Sequence, residues 1–123
     1  MIIVGLGSRK IIDAQAVIDL IEASSLGLTL SGLAVPFFRK DESAFLHAAK
    51  YFKLDIFWVG ELELHQRQEE CFSYSDVAFH RTGLGAVAEA CALAGAGKGS
   101  TLLVPLQKGR GVTAALALAS LKN

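Results

Sequence analysis

Short apolar runs alternate with segments of helical periodicity along this chain. Apolar runs that end in glycine, proline or polar turns predict strands, and they occupy residues 2–4, 29–35, 54–59 and 101–106. Apolar residues three or four positions apart predict helices in segments 14–21, 41–52 and 86–94, and the polar stretches 61–70 and 73–80 predict two shorter helices. The run 54–59 is typical of a buried central strand, Asp41 is expected to cap the second helix, and Ser73 the fourth.

The last apolar segment, residues 112–118, is compatible with either a helix or the second strand of a hairpin. Its alanines and leucines favour a helix by propensity, whereas the glycine turn 109–111 between two apolar runs favours a hairpin. The hairpin is the preferred interpretation. We therefore predict an α/β fold: a single three-layer α/β/α domain over residues 1–123, with a mostly parallel sheet and an antiparallel edge strand from the C-terminal hairpin.

Composition narrows the class of protein. Apolar residues make up 52% and charged residues 20% of the chain, which is typical of a globular domain. The longest apolar runs fall far short of the roughly 20 residues that cross a bilayer. Because the first strand follows the start with no secretory signal, a cytoplasmic protein without membrane contact is expected. Lys plus Arg and Asp plus Glu both number 12, which argues against a nucleic-acid partner.

Neither a metal site nor an intrinsic cofactor is predicted. Cys71, Cys91 and the three histidines show no ligand spacing, and both cysteines fit ordinary buried thiols. A dinucleotide fingerprint would need a third glycine where the chain has Lys10, and an acid where it has Val35-Pro36. A nicotinamide cofactor is therefore not expected.

The first glycine-rich segment, residues 5–10, is predicted to lie between the first strand and the first helix. Gly5 and Gly7 would let a ligand approach the backbone, Ser8 lies beside them, and Arg9 and the next residue, a lysine, add positive charge. A tight glycine turn with two solvated cations explains the same residues.

Three further loops are candidates for an anion site because ligands of open α/β sheets bind at the carboxyl ends of the strands. In chain order, their candidate residues are Lys40 and Glu42, then Thr82, Gly83 and Gly85 followed by Glu89, and finally Lys108. Simpler explanations remain for each loop: a helix start with favoured acids, an exposed helical Glu89, and a plain hairpin turn.

Four stretches carry a resemblance to a known family. They are Gly5-Leu6-Gly7-Ser8-Arg9, Lys40-Asp41-Glu42, Ser75 to Glu89 with Thr82-Gly83 and Val87-Ala88-Glu89-Ala90-Cys91-Ala92-Leu93, and the closing hairpin with Lys108 and Thr113. In this order, over nearly the whole chain, they resemble the family of CobE and the C-terminal domain of CbiG, proteins of cobalamin synthesis. The chain departs from the family pattern at Ser8, Ala86 and Leu106, where Cys, Ser and Lys are expected.

The resemblance implies a three-layer fold and a role in corrin-ring formation. The ligand would be a precorrin or cobalt-precorrin, any cobalt would arrive within that substrate, and other enzymes of the pathway are candidate partners. The predicted binding residues are Gly5, Gly7, Ser8, Arg9, Lys40, Glu42, Ser75, Thr82, Gly83, Gly85, Lys108 and Thr113. Monomer and homodimer both remain open.

Two functions fit this resemblance. In the first, the protein binds an anionic precorrin and passes it on. In the second, it opens a δ-lactone on a cobalt-precorrin with release of acetaldehyde, as ascribed to full-length CbiG. Glu89 or Glu42 would then activate water, and Lys40 or loop amides would stabilise the oxyanion.

Overall fold

A computed structural model describes residues 1–120 as one α/β domain. Its strands are β1 (Ile2–Ser8), β2 (Gly32–Pro36), β3 (Ile56–Val59), β4 (Thr101–Lys108) and β5 (Val112–Leu118). Its α-helices are α1 (Ala14–Ser25), α2 (Ser43–Phe52), α3 (Glu61–Gln66), α4 (Asp76–Thr82) and α5 (Ala88–Ala96), with single 3-10 turns at Phe37–Arg39 and Gln68–Glu70. The domain was predicted to continue to residue 123, and its last three residues lie outside the described part.

The sheet has the strand order β3-β2-β1-β5-β4. Strands β1, β2 and β3 pair in parallel, while β5 pairs antiparallel with both β1 and β4. Four strands therefore run in one direction. Their carboxyl ends share one edge with the start of β5, since Ser8 faces Val112 and Lys108 faces Thr113. We call this edge the carboxyl rim.

Helices cover both faces of the sheet, as predicted for a three-layer α/β/α domain. Helices α1 and α2 pack on one face, against side chains such as Val4 and Leu33, while α3 and α5 pack on the other, against Ile3 and Ala34. Successive strand residues point to opposite faces, so each core strand supplies both layers. The C-terminal hairpin is confirmed, with β5 inside the sheet and β4 as one of its two edge strands.

Helix α5 lies unusually close to the sheet because the residues between them are small. A Cβ placed on Gly5 would lie 2.1 Å from the Ala88 carbonyl oxygen and 2.2 Å from the Ala92 nitrogen. Gly5 and Gly7 belong to β1, so the prediction of a loop there was wrong. The glycine run does not end the strand because β5 pairs with β1 as far as Ser8.

Several element boundaries also differ from the prediction. Strand β3 is an edge strand with Phe57 42% exposed, because β1 rather than β3 occupies the middle of the sheet. Glu42, not Asp41, occupies the N-cap position of α2. Ser75, not Ser73, caps α4, since its hydroxyl accepts a hydrogen bond from the Ala78 amide. Over residues 1–120, no helix combines the length and apolarity needed to span a bilayer.

Candidate functional site

A cleft of about 470 Å³ opens at the carboxyl rim. Its walls come from the ends of β1 and β4, the start of β5, the loops before and after α4, and α4 itself. Eight of the predicted binding residues line it: Gly7, Ser8, Arg9, Ser75, Thr82, Gly85, Lys108 and Thr113. Residues from three of the four stretches that carry the resemblance therefore meet at one site, and the residues from β1 and the hairpin lie at strand ends.

Four other predicted binding residues lie outside this cleft lining. Gly5 is buried beneath α5, and Gly83 ends α4 with a φ of 78°, where a Cβ would meet nothing within 4 Å. The ammonium group of Lys40 lies 4.5 Å from the centre of the Phe37 ring. Glu42 stands at the start of α2 and interacts electrostatically with Arg39 rather than lining the cleft.

Two arginines of the cleft were missed by the sequence analysis. Arg39 lies in the 3-10 turn directly after β2, so the rule that placed Lys40 at the rim could have found it. Arg81 is in the last turn of α4 and lines the cleft. Nothing in the sequence indicated that this helix lies at the carboxyl rim. The aromatic residues Phe38 and Tyr74 also line the cleft.

The charges of the cleft are all of one sign. Arg9, Arg39, Arg81 and Lys108 line it, and its lining holds no aspartate or glutamate, although the chain has 12 acidic and 12 basic residues. Across residues 1–120 the ion pairs are Arg67–Glu70 and Arg110–Asp13, so these four cations lack such a partner there. The cleft is therefore suited to an anion.

Arg39 shows this unbalanced charge most clearly. Its Nε donates a hydrogen bond of 3.1 Å to the Ser8 carbonyl oxygen, which fixes the guanidinium at the rim. Partial burial lowers the pKa of Arg39, the nearby charge of Glu42 opposes that shift, and the charge of Arg81 adds to it. Arginine stays charged at any physiological pH, so the site holds neighbouring positive charges in a partly desolvated place.

Glu89 is fully buried, so the simpler interpretation of it as an exposed helix residue was wrong. Its Oε1 accepts a 2.8 Å hydrogen bond from the Ser73 amide, and its Oε2 accepts one of 3.1 Å from the Leu106 amide and one of 3.3 Å from the Ser73 hydroxyl. The carboxylate thus ties the segment before α4 and an irregular part of β4 to α5. Its role as a general base stays a prediction.

The loop between α4 and α5 is held on both sides. The side-chain amide of Gln68 donates a hydrogen bond of 2.7 Å from Nε2 to the Ala86 carbonyl oxygen, and its Oε1 accepts one of 3.1 Å from the Ala86 backbone nitrogen. The Ser75 nitrogen donates to the Gly85 carbonyl oxygen at 2.8 Å. The ring of Tyr74 lies directly over Gly85, where a Cβ would come within 2.2 Å of it. A cleft wall fixed in this way is pre-formed for a ligand.

The cleft also has an apolar wall. Tyr74 and Val77, 66% and 62% exposed, face it from the α4 region, and Val87 and Leu106 face it from the other side. The three departures from the family pattern, Ser8, Ala86 and Leu106, all lie in its lining. A cleft with adjacent cationic and apolar surfaces suits a ligand that carries negative charge and also has a large apolar surface.

The cysteines stand apart from this site. Burial, with a smaller contribution from the charges of Glu89 and Glu70, raises the pKa of the Cys71 thiol to about 12, and the charge of Arg67 opposes this shift. Burial likewise raises the pKa of Cys91 well above its ordinary value. Residues 1–120 contain no grouping of three or more His, Cys, Asp or Glu side chains that could hold a metal ion.

Fold and site together define a three-layer α/β domain with a cationic cleft at its strand ends. The sequence profile of the family described as cobalamin synthesis G C-terminus matches residues 2–117. The chain belongs to this family, which confirms the resemblance drawn from its motifs. No curated protein sequence matches the chain significantly.

Solved structures agree with this assignment. CobE, described as a protein from the cobalamin (vitamin B12) biosynthetic pathway, superposes with a TM-score of 0.87 at 29% identity over 95% of this chain and 89% of its own. Cobalamin biosynthesis protein chiG from Agrobacterium tumefaciens gives 0.78 at 31% identity over 98% of this chain and 99% of its own. A cobalamin biosynthesis protein G homologue from Sulfolobus solfataricus shares the fold, with a TM-score of 0.75 at 24% identity over 97% of this chain and 37% of its own.

Proposed function

We propose that the cleft at the carboxyl rim binds a precorrin or cobalt-precorrin through the carboxylates of the macrocycle and holds it for the next step of the pathway. The observation that carries this proposal is the segregation of charge: four cations and no acid line the cleft of a chain whose formal net charge is zero. A precorrin carries several acetate and propionate groups, so it supplies the missing negative charge.

The apolar wall supports a ring-shaped ligand rather than a small anion. Tyr74, Val77 and Leu106 offer apolar and aromatic surface beside the cations, and a macrocycle would cover their exposed faces. Burial of such surface contributes about 25 cal/mol per Å². Any cobalt would arrive in the ring of the substrate, and the protein needs no metal ligands of its own for this role.

The hydrolase alternative has weaker support. Both carboxylate oxygens of Glu89 already accept hydrogen bonds, three in total, and the side chain is fully buried. Glu42 lies outside the cleft lining. A general base must reach the water that it activates. Binding without turnover is therefore the function that the geometry favours.

A titration tests this proposal. Purified protein is titrated with precorrin and cobalt-precorrin intermediates while the tetrapyrrole absorption band and released acetaldehyde are followed. We expect a saturable spectral shift without acetaldehyde. Because each charge-assisted contact to a carboxylate contributes on the order of 1–3 kcal/mol, the double variant Arg9→Ala, Lys108→Ala should bind at least about tenfold more weakly.

The matched control is the double variant Lys40→Ala, Lys98→Ala, which removes two exposed cations outside the cleft lining. It should retain the affinity of the unmodified protein. An equal loss in both double variants would show that net charge, not this cleft, attracts the ligand. Release of acetaldehyde would establish the hydrolase, and the lack of a spectral change with every intermediate would remove both functions.

A further inference from the structure

The cleft is joined to a second cavity by a cluster of arginines. This adjoining cavity, of about 830 Å³, also contains Lys10, Ile11 and Glu61 in its lining. The residues that line both cavities are Arg9, Phe38, Arg39, Arg81 and Thr82. Three of these five are arginines, and they come from the segment after β1, the turn after β2 and the end of α4. We call these three residues the arginine junction.

The junction is built around Arg39. Its Nε is committed to the Ser8 carbonyl oxygen, next to Arg9 in the chain, and within residues 1–120 its two terminal nitrogens have no hydrogen-bond acceptor. Arg81 is close enough for its charge to act on Arg39, while the opposing acid, Glu42, lines neither cavity. The aliphatic part of Arg9 lies beside Gly111, where a Cβ would come within 3.2 Å of the Arg9 Nε.

Neighbouring guanidinium groups repel each other, and this repulsion is relieved when a negative group lies between them. Guanidinium forks match the paired oxygens of a carboxylate or phosphate and bind them through two parallel hydrogen bonds. Terminal nitrogens that lack a protein acceptor leave such a fork free. These are the features of an oxyanion site rather than of a structural ion-pair network.

We propose that Arg9, Arg39 and Arg81 form a subsite for one oxyanion group of the ligand, at the point where the cleft meets the adjoining cavity. The identification of that group as a carboxylate of a tetrapyrrole rests on the proposed function; a free phosphate or sulfate has the same chemistry. The subsite also orients the ligand. With one anionic group at the junction, the body of the ligand lies against Tyr74 and Leu106, and a second anionic group can reach Lys108.

The test first uses small probes. Inorganic sulfate and propane-1,2,3-tricarboxylate are titrated calorimetrically at low ionic strength, where exposed charges are least screened. The variants are Arg81→Ala, which changes an exposed residue, and Arg39→Lys, which keeps the charge but loses the fork. We expect one bound probe per chain, at least about tenfold weaker binding in each variant, and unchanged binding in Arg110→Ala and Lys98→Ala. Circular dichroism confirms that each variant is folded.

The subsite would be overturned if the unmodified protein bound neither probe, if Arg39→Lys and Arg81→Ala kept full affinity, or if Arg110→Ala lost as much. A second titration with tetrapyrrole separates this inference from the proposed function. Probe binding at the junction without tetrapyrrole binding would remove the function and keep the subsite. Tetrapyrrole binding that is insensitive to both arginine variants would keep the function and remove the subsite.

Discussion

Glu89 offers a direct test of how the cleft wall is held in place. In Glu89→Gln the side chain keeps its shape, but an NH2 group replaces one carboxylate oxygen. If that group faces the Leu106 amide, the Leu106 N–H loses its acceptor; if it faces Ser73, the Ser73 N–H loses its acceptor. Either orientation leaves one backbone donor of a partly buried residue without its acceptor, next to the fully buried side chain at position 89.

The expected loss of stability follows from these contacts. A hydrogen bond to a charged group contributes about 1.5–3 kcal/mol, and an unpaired buried donor costs about 1–3 kcal/mol. The neutral amide avoids part of the desolvation cost of the buried carboxylate. We therefore expect Glu89→Gln to lower the free energy of unfolding by about 2–3 kcal/mol, with the largest local effect on the segment around Ser73, since α4 has no buried residue of its own.

Urea unfolding measures the global effect and hydrogen exchange the local one. The control Glu22→Gln makes the same chemical change on the exposed side of α1 and should alter the unfolding free energy by less than about 0.5 kcal/mol. In Glu89→Gln the Ser73 and Leu106 amides should exchange faster than global unfolding explains. A stability equal to that of the control, with both amides still protected, would refute the view that Glu89 anchors the cleft wall.

Three further predictions concern the packing of α5 and the thiol of Cys71. Gly5→Ala should destabilise the protein by about 3 kcal/mol or more in urea unfolding, because the new methyl group meets backbone atoms of Ala88 and Ala92 that can move only with the helix. The pKa of Cys71 is about 12 in the folded chain and has its ordinary value of 9.0 in the unfolded chain. Alkylation of the thiol at pH 8 should therefore be about a thousandfold slower in the folded chain. Between pH 9 and 12 the unfolded chain binds fewer protons than the folded chain, so stability should fall as pH rises, and less steeply in Cys71→Ala.

Each of these predictions can be contradicted by a specific result. Gly60→Ala adds a methyl group that meets nothing closer than 3.4 Å, so a loss comparable to that of Gly5→Ala would argue against the close approach of α5. Rapid alkylation of Cys71 in the folded protein at pH 8, or the same pH slope with and without this thiol, would show that burial does not hold it protonated.

The order of elements and the family followed from local signals in the sequence. Apolar runs and helical periodicity placed the elements, and the glycine turn at 109–111 outweighed the helical propensity of the last segment. The placement of predicted strand ends also brought Ser8 and Lys108 to one rim, because the carboxyl ends of parallel strands share an edge of the sheet.

What the sequence could not determine depends on contacts between distant segments. Gly5 was expected in a loop because glycine often ends a strand, but pairing with β5 and the close approach of α5 keep it in β1. Phe57 lies at an edge because β5 inserts beside β1, which only the strand order reveals. Arg81 reaches the cleft, and Glu89 becomes a buried anchor, only once α4 and α5 are packed at the carboxyl rim. The sequence by itself determined the elements and the family; tertiary packing decided which charged side chains line the cleft, because burial and neighbouring charge are properties of the folded chain.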